Sequence, residues 1–440
     1  MHAILVPFGS AGDVYPFVAL GTELKRRGHR VTMITSGYFG EVARQAGFEF
    51  TSSLSSEAYL ASVSHPDYWH PVRSTRLLLD RIVNPGISVV YELLRQAYRP
   101  GESAVVAGTL ALGARVAHDK LGIPLTTVHL QPSAIRSCHE PAVHPGFGWI
   151  HYLPLRLRPL AFRLIDAVAD RLYGRPLNAF RATLGLPPIK RLFGAWWHSP
   201  ESTLALFPAW YAAPQPDWPK QISLCDFPLY DAASEEYPAR ELERYLDAGE
   251  PPIVFTSGSA MSSADEFFAA GAEACRLLGR RALFVTRFAR QLPQPLPAHV
   301  WHLPYVPFSR LLPHAAAFVH HGGIGTAAQA LRAGIPQLVT PFCYDQHDNA
   351  AHLEHLGVAL TVPRGQLCAA GLAASLERLL TDATLHARCR ELATHFVQGE
   401  AIKKAADALE RYWFERRKLA RPVHRAAPGA ATTASAPTAA

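Results

Sequence analysis

The stretch FVHHGGIGTAAQALRAGIPQLVTPFCYDQ, residues 318–346, decides the fold. It begins with a short apolar run, passes through a loop of histidines and glycines into the helix-forming run AAQALRAG, and returns to a second apolar run before Asp345 and Gln346. Strand, glycine loop, helix and strand in this order predict a unit of a parallel α/β sheet. Polar residues just beyond the carboxyl ends of such strands predict a ligand site.

The glycine loop has the features of a diphosphate site. Glycines let the backbone approach a ligand, and the N–H groups and dipole at a helix start attract an anion. Histidine and threonine add hydrogen-bond donors, while a carboxylate and an amide suit sugar hydroxyls. The candidate ligand-binding residues are His321, Gly323, Gly325, Thr326, Asp345 and Gln346.

A dinucleotide site is the competing interpretation of the same loop. GIGTAA fits the G-x-G-x-x-A variant of the dinucleotide fingerprint, and Asp345 lies about 20 residues further on, where a ribose-binding acid would sit. The paired histidines are not part of that fingerprint, and PFCY displaces Asp345 beyond the strand. A dehydrogenase is therefore the weaker hypothesis. The plainest one, core histidines beside turn-forming glycines, does not explain the whole ordered set.

The chain repeats this alternation on both sides of a proline-rich stretch. Apolar strand-like runs of the first half are AILVPF (3–8), RVTMIT (30–35), AVVAG (104–108) and PLTTVHL (124–130). The rhythm restarts at PPIVFTSGSA, after prolines that interrupt any periodicity. The sequence predicts an α/β protein with two Rossmann-like doubly wound domains. The expected divisions are an N-terminal domain 1–214, a linker 215–250, a C-terminal domain 251–395, a C-terminal helix 396–420 and a disordered tail 421–440.

Composition narrows the class of protein. The 440 residues are 49% hydrophobic and 18% charged, enough for large buried cores. Six scattered cysteines without a CxxC pair indicate free thiols in a reducing compartment. MHAILVPFGSAGD is expected to be a first strand rather than a signal peptide, and no apolar run is long enough to span a bilayer, so a cytoplasmic location is expected. The net charge of +7 allows anionic partners, but the arginines are scattered and no nucleic-acid-binding module is present.

The segment 318–346 resembles the nucleotide-sugar signature of the family 1 glycosyltransferases, enzymes of the GT-B fold with two facing Rossmann-like domains. The resemblance implies that His321, the Gly325 backbone and Thr326 contact the donor diphosphate. It also implies that Asp345 and Gln346 bind the donor sugar, and that the C-terminal helix crosses back to the N-terminal domain. The nucleotide sugar would be a co-substrate, and no bound cofactor is expected.

Other donor contacts follow from the same resemblance. Ser257 and Ser259, after the first strand of the C-terminal domain, would also face the diphosphate. Trp301 or Tyr305 would stack on the nucleotide base. Gln329 stands where many members carry a glutamate that binds both ribose hydroxyls, so this departure favours a 2′-deoxyribose and hence a thymidine diphosphate donor.

The loop FGSAGDVYPF, residues 8–17, supplies a candidate base. A hydroxyl that displaces a diphosphate needs one general base and no acid, because the leaving group is already a stable anion. Asp13 starts a helix and could simply cap it. The loop also resembles the G-S-x-G-D-V loop of bacterial family 1 enzymes, whose aspartate is the proposed base. Gly12, His129 and His139 are candidate acceptor-binding residues.

Metal dependence is not expected. Metal-dependent sugar transfer usually needs a D-x-D pair, and the sequence contains none. Helix dipole, histidine and backbone donors can instead stabilise the departing diphosphate.

A narrower resemblance concerns the acceptor. MHAILVPFGSAGDVYPFVAL, VVAGTLALGARVAHDKLGIP and HSPESTLALFPAWYAAPQPDWP are similar to rhamnosyltransferases of bacterial rhamnolipid synthesis, with a likeness spread from residue 1 to about 360. It implies inverting transfer of L-rhamnose from dTDP-L-rhamnose to a hydroxyl of a 3-(3-hydroxyalkanoyloxy)alkanoate. His321 departs from that pattern, which leaves an NDP-glucose-dependent enzyme with a sterol, polyketide or other lipophilic acceptor open. A nucleotide-sugar epimerase and a non-catalytic nucleotide-sugar-binding module are the alternatives from other classes, and the oligomeric state stays open.

Two basic, apolar segments bear on membrane contact. HYLPLRLRPLAFRLIDAVADRLYGR (151–175) and ERYWFERRKLARPVHR (410–425) mix arginines with large apolar residues, as interfacial helices do. We expect both to pack against the protein, with weak peripheral attraction to the anionic inner face of the plasma membrane as a secondary effect.

Overall fold

The computed structural model describes residues 1–70, 73–231, 236–397 and 399–420. Its strands are β1 His2–Val6, β2 Arg30–Ser36, β3 Glu49–Leu54, β4 Ser103–Gly108, β5 Leu125–His129, β6 Thr203–Ala205, β7 Ile222–Leu224, β8 Ile253–Thr256, β9 Ala282–Val285, β10 Val300–Leu303, β11 Ala317–His320, β12 Gln337–Val339 and β13 Ala359–Thr361. Its α-helices are α1 Ala11–Arg26, α2 Gly40–Gln45, α3 Ser56–Val63, α4 Ser74–Leu78, α5 Asn84–Ala97, α6 Leu112–Leu121, α7 Arg158–Thr183, α8 Ala239–Asp247, α9 Asp265–Leu277, α10 Phe308–Leu311, α11 Ile324–Ala333, α12 Gln346–His355, α13 Ala369–Thr381, α14 Ala383–Ala393 and α15 Glu400–Ala420.

These strands form two sheets. The first has the order β3-β2-β1-β4-β5-β6-β7 and the second the order β10-β9-β8-β11-β12-β13. The pairings recorded within each sheet are parallel, and the order reverses beside β1 and beside β8. All residues of β1 and β8 are buried, as expected for strands covered by helices on both faces. The prediction of two doubly wound α/β units is therefore confirmed.

The segment expected to be a linker, 215–250, is more ordered than its prolines indicated. β7 pairs with β6, so the first sheet extends beyond residue 214. Leu242 of α8 packs in the same buried cluster as Val254 and Leu283 of the second unit. The connection between the units is therefore confined to 225–238, of which 232–235 lie outside the described residues. A three-residue strand is too short for its periodicity to be visible between prolines.

The C-terminal helix returns to the first unit. In α15, Glu410 accepts hydrogen bonds from Arg27 at 2.8 Å and from His29 at 2.7 Å. Trp413 is buried with the core residues of the N-terminal sheet. The expected tail, 421–440, lies outside the described residues. In the described part of the chain, no helix combines the length and apolar character needed to cross a bilayer.

Candidate active site

The carboxyl ends of the two sheets face one cavity of about 380 Å³, here called the central cleft. Its walls come from the loops after β1, β8, β9, β11 and β12, which are the positions where open α/β sheets bind ligands. Hydrogen bonds between the units include Tyr344 Oη, which donates to the Tyr68 carbonyl at 2.8 Å, and Val143 N–H, which donates to Asp348 Oδ1 at 2.8 Å. A second cavity of about 250 Å³, the side cavity, is lined largely by the N-terminal unit and shares Asp13 and Asp345 with the cleft.

His320 holds the glycine loop in shape. Its Nδ1 accepts the Gly322 N–H at 3.0 Å, so Nε2 carries the proton that is donated to Gln337 Oε1 at 3.0 Å. Gly322 has φ +89°, and a Cβ there would lie 2.9 Å from Val339 Cγ1 and 3.0 Å from the Gln346 carbonyl. The first histidine of the pair is thus structural, and Gly322 is required by both conformation and space.

His321 lies against the backbone of the loops from β8 and β11. A Cβ on Gly258 would lie 2.8 Å from its Nε2, and one on Gly323 would lie 2.4 Å away. Burial, with a smaller contribution from His320, lowers the pKa of His321 to about 3, so the imidazole is neutral at physiological pH. Nδ1 is buried and has no hydrogen-bond partner among the described residues. A neutral ring in the lining of the cleft can donate one hydrogen bond to a ligand.

The start of α11 is open toward the cleft. Gly323 is the N-cap of this ten-residue helix, whose first turn contains no acidic residue. A Cβ on Gly325 would meet no atom within 4 Å, so the backbone N–H groups there are accessible to a ligand. Thr326 and Ser259 also line the cleft, which makes the helix start suitable for an anion.

Ser257 does not belong to this lining. Its side chain is completely buried, and its Oγ has no hydrogen-bond partner among the described residues. Thr256, Gly258 and Ser259 line the cleft instead. The expected diphosphate contact of Ser257 is therefore wrong for the side chain, because the strand end turns it inward.

Arg287 is a cleft residue that the sequence reasoning missed. It follows β9 directly, together with Thr286, and both line the central cleft, where Arg287 Nη1 donates to Tyr38 Oη of the N-terminal unit at 3.4 Å. A guanidinium in this position suits a phosphate ligand. The rule that ligands bind at strand ends could have identified it, since TRF follows the apolar run ALFV.

Asp345 and Gln346 occupy the far wall of the cleft, at the start of α12. Burial raises the pKa of Asp345 to about 7, with a smaller contribution from the charge of Asp13. Asn349 Nδ2 donates to Asp345 Oδ2 at 2.7 Å. Gln346 Oε1 accepts the N–H groups of Phe342 and Cys343 at 2.8 and 3.1 Å, which leaves its Nε2 as the group available to a ligand.

Asp13 caps its helix and also faces the cleft. Ser10 is the N-cap of α1, and its N–H and Oγ donate to Asp13 Oδ2 at 2.7 and 3.1 Å. Gly9, with φ +138°, leaves room for this contact, because a Cβ would lie 2.3 Å from Oδ2. Burial raises the pKa of Asp13 to about 6. Capping uses Oδ2, so Oδ1 is left for a ligand, and the two interpretations from the sequence are compatible. Gly12 lines the same loop.

The two aromatic residues expected to stack on a base differ in position. Tyr305 lines the cleft, whereas Trp301 lies in β10 and packs against Tyr245 with ring centroids 4.7 Å apart. Trp301 is therefore excluded from base stacking by its position. Gln329 lines the cleft and donates from Nε2 to Asp231 Oδ1 at 3.4 Å, while its Oε1 is buried without a partner among the described residues. Asp231, within the connection between the units, was not predicted.

The expected acceptor histidines lie outside the linings of both cavities. His129 is completely buried and hydrogen-bonded to Thr109 Oγ1 at 2.8 Å and His198 Nδ1 at 2.7 Å. His139 lies on a loop that Arg158 holds through the backbone carbonyls of residues 138 and 139. His144 lines the side cavity instead, and burial lowers its pKa. The assignment of His129 and His139 is wrong because a position after a strand does not say which way the ring points.

The side cavity is mostly apolar. Its lining includes Phe8, Phe17, Leu110, Val128, Leu130, Ala134 and Trp197. Polar side chains also reach it: Thr75, Thr109, Gln131, Ser133, His144 and Tyr344 line it together with Asp13 and Asp345, which it shares with the cleft. Such a cavity suits a lipophilic molecule that presents one polar end to Asp13.

Within the described ranges, no group of three or more His, Cys, Asp or Glu side chains is arranged to hold a metal ion. Metal independence stays a prediction.

Comparisons with known proteins agree with this architecture. Residues 3–139 match the glycosyltransferase family 28 N-terminal domain, and residues 283–407 match the erythromycin biosynthesis protein CIII-like C-terminal domain. O-mycaminosyltylonolide 6-deoxyallosyltransferase of Streptomyces fradiae is 30% identical over 437 residues, covering 96% of this chain and 99% of that protein. Vancomycin aglycone glucosyltransferase of Amycolatopsis orientalis is 28% identical over 410 residues, covering 91% and 96%.

Solved structures share the fold over almost the whole chain. The glycosyltransferase of kitacinnamycin superposes with a TM-score of 0.70 at 22% identity, covering 94% of this chain and 99% of that one. VinC in complex with dTDP gives 0.65 at 18%, covering 94% and 100%, and the spinosyn rhamnosyltransferase SpnG gives 0.66 at 19%, covering 93% and 100%. With a relative 30% identical over nearly its full length and the GT-B arrangement of two facing sheets, this chain belongs to the family 1 glycosyltransferases.

Proposed function

We propose that the protein transfers L-rhamnose from dTDP-L-rhamnose to a hydroxyl group of a lipophilic acceptor, with inversion at the anomeric carbon. The observation that carries the proposal is the arrangement of the cleft. Asp13, in α1 of the N-terminal unit, and the open start of α11, in the C-terminal unit, line one cavity, and the side cavity adjoins Asp13.

The donor diphosphate binds at the α11 start. The backbone N–H groups near Gly325, the Thr326 and Ser259 hydroxyls and the neutral His321 ring donate hydrogen bonds to its oxygens. Arg287 adds positive charge. These groups stabilise the diphosphate more as its negative charge grows, which is when stabilisation lowers the barrier.

The reaction itself is a single displacement. Asp13 Oδ1 accepts the proton of the acceptor hydroxyl while the hydroxyl oxygen forms a bond to the anomeric carbon. The bond from that carbon to the diphosphate oxygen breaks, and its electron pair leaves with dTDP. With a pKa of about 6, the Asp13 carboxylate is ionised at neutral pH and close to the value that favours general-base catalysis. Asp345 and the Gln346 amide orient the sugar.

The nucleotide is assigned from Gln329. The Gln329 amide, hydrogen-bonded to Asp231, binds the two hydroxyls of a ribose more weakly than a glutamate carboxylate would. This suits a 2′-deoxyribose, which lacks one of those hydroxyls. Tyr305 stacks on the base. The acceptor class rests on the apolar lining of the side cavity, and a 3-(3-hydroxyalkanoyloxy)alkanoate is the acceptor implied by the resemblance of the sequence to rhamnolipid-forming enzymes.

An NDP-glucose-dependent transfer to a sterol, polyketide or other lipophilic acceptor is the second candidate. It is favoured by the relatives, among which is a glucosyltransferase that acts on an aglycone. The two candidates share the cleft chemistry and differ in the sugar and the acceptor.

A panel of nucleotide sugars separates them. Thymidine and uridine diphosphate forms of rhamnose and glucose are added singly, and the rise in melting temperature is measured, since a ligand of the folded state stabilises it. The proposal predicts the largest rise with dTDP-L-rhamnose. A larger rise with a glucose donor would replace rhamnose with glucose, and no rise with any donor would refute the assignment of the α11 start.

A further inference from the structure

Helix α7 carries an apolar stripe that packs against nothing in the described chain. Leu160, Leu164, Val168 and Leu172 follow each other at four-residue spacing, and each is between 58% and 63% exposed. With 3.6 residues per turn, this spacing keeps the four side chains within a sector of about 120° over about 18 Å of helix. Single exposed apolar residues are ordinary on soluble proteins, but a contiguous row indicates a binding surface.

The same side of α7 is positively charged. By the 3.6-residue period, Arg171 and Arg175 fall within the sector of the apolar row, and Arg163 lies about 60° outside it. All three are exposed, and none of them has an acidic partner among the described residues. The two acids of the helix point elsewhere: Asp166 is buried and pairs with two other arginines, and Asp170 accepts the backbone N–H groups of residues 191 and 192. The outward side of α7 therefore presents hydrocarbon and guanidinium groups without a carboxylate.

The segment before α7 extends this surface. Its exposed apolar side chains are Phe147, Trp149, Tyr152, Leu155 and Leu157. Arg158 holds the segment in place by donating to the carbonyls of Leu153 at 3.0 Å, His151 at 3.0 Å and Cys138 at 2.9 Å. The exposed side chains of segment 147–175 are here called the α7 face, and the hydrogen bonds of Arg158 fix the loop that leads into the helix.

We infer that the α7 face docks on an anionic lipid bilayer, with the leucines in the headgroup and acyl boundary and the guanidiniums at the phosphates. Leucine, aromatic residues and arginine on one exposed surface are the composition of an interfacial helix, in which long cationic side chains extend to the polar layer. Guanidiniums without carboxylate partners are attracted to the negative potential of anionic lipids.

A second copy of the chain fits this surface less well than a bilayer does. In a symmetric dimer each patch meets its own copy, so the unpaired arginines of both copies would be gathered in one interface that offers no carboxylate. Like charges at close range oppose such an interface, whereas phosphate groups neutralise them. The inner side of segment 151–175 packs against the protein, as expected, whereas its outer side is exposed.

The α7 face is connected to the acceptor side of the protein. Arg136 pairs with Asp166 of α7 and stacks over the Phe162 ring at 4.8 Å. Arg136 lies two residues after Ala134, which lines the side cavity together with Ser133. Docking through α7 would therefore hold the side cavity near the bilayer. The docking itself does not depend on the proposed reaction.

The test is flotation of the full chain with vesicles of phosphatidylcholine alone or mixed in equal parts with phosphatidylglycerol. We expect binding to the mixed vesicles, little binding to phosphatidylcholine alone, and loss of binding as salt is raised. The double variants Leu164→Gln/Val168→Gln and Arg171→Gln/Arg175→Gln should each lower the bound-to-free ratio by about tenfold or more. All four positions are exposed, so the fold should survive, which an unchanged melting temperature verifies.

Matched controls are Leu277→Gln on α9 and Arg310→Gln on α10, which remove an exposed leucine and an exposed arginine from the other unit. They should bind vesicles like the parent. Absence of binding to mixed vesicles, or equal binding by the α7 variants, would overturn the inference. So would a dimer, observed by sedimentation velocity, that the α7 leucine variant dissociates, because the face would then join two copies.

Discussion

Replacing Asp13 with asparagine should remove transfer and at the same time stabilise the fold. Burial raises the pKa of Asp13 from its ordinary value of 3.8 to about 6, so the folded state binds the proton more tightly than the unfolded chain does. Ionisation therefore costs stability: the cost is absent below pH 3.8, grows as the pH rises toward about 6, and is complete above it. The difference between the two pKa values corresponds to about 3 kcal/mol at most.

Asparagine removes the charge and keeps the helix cap. Its Oδ1 can accept the hydrogen bonds that Ser10 N–H and Oγ now donate to Asp13 Oδ2. The Asp13→Asn variant should then melt at a higher temperature than the parent at about pH 8, and the two should converge at about pH 4, where the parent is also protonated. Asp13→Ala is the matched control, because it removes the charge but also loses the cap, which costs about 1 kcal/mol.

Transfer should change in the opposite direction. Loss of a general base lowers the rate by about 10²–10⁴-fold. In the parent, the initial rate at saturating donor should rise with pH through about 6, as the Asp13 carboxylate ionises, and the asparagine variant should lack this rise. The rate is measured as acceptor-dependent release of the nucleotide diphosphate, beside thermal melting at each pH. If Asp13→Asn melts no higher than the parent at about pH 8 and keeps transfer within about tenfold, the roles given to Asp13 are refuted.

Three further results are expected. Gln329→Glu should raise the affinity for UDP relative to dTDP in competition binding, because a carboxylate accepts from both ribose hydroxyls. If the relative affinity is unchanged, Gln329 does not determine which nucleotide binds. Gly323→Ala should weaken donor binding about 10–150-fold by titration calorimetry, since its Cβ would lie 2.4 Å from Nε2 and displace the His321 donor to the diphosphate; the open position Gly325→Ala lacks that clash and should cost less. Treatment with EDTA should leave the transfer rate unchanged, and restoration of a lost rate by a divalent cation would contradict the metal-independent reaction.

The fold and the donor loop could be predicted from the sequence because their signals are local. Continuous apolar runs such as AILVPF mark strands buried on both faces, and the glycines near residue 322 mark a turn that only glycine can adopt. The rule that ligand-binding residues follow the carboxyl ends of strands correctly predicted that Asp13 and Asp345 line the same cleft. That rule needs only chain order and the parallel direction of the strands.

The remaining site residues depend on side-chain direction and on packing between the units. In a strand that is apolar on both faces no alternation shows which way a residue points, so His129 and Ser257 were assigned to a cleft from which they are turned away. Trp301 and Tyr305 are close in sequence, but of the two only Tyr305 lines the central cleft. His144 reaches the side cavity through a loop whose course is set by contacts such as Val143 with Asp348 of the other unit. No periodic pattern encodes such contacts.

The same limit applies to α7. Its mixture of arginine and leucine is compatible with a packed helix or an interfacial one. Only the structure shows that Asp166 is turned inward while Leu164 is exposed.

The most direct test of the account is a product assay with the unmodified chain. The protein is incubated with dTDP-L-rhamnose, with and without a 3-(3-hydroxyalkanoyloxy)alkanoate, and dTDP and the acceptor are followed by mass spectrometry. The account predicts that dTDP is released only when the acceptor is present, in equal amount to an acceptor whose mass has increased by one deoxyhexose, with inverted anomeric configuration by NMR. Conversion of the sugar without an acceptor, as an epimerase would give, or donor binding without any turnover, as a binding module would give, would contradict it.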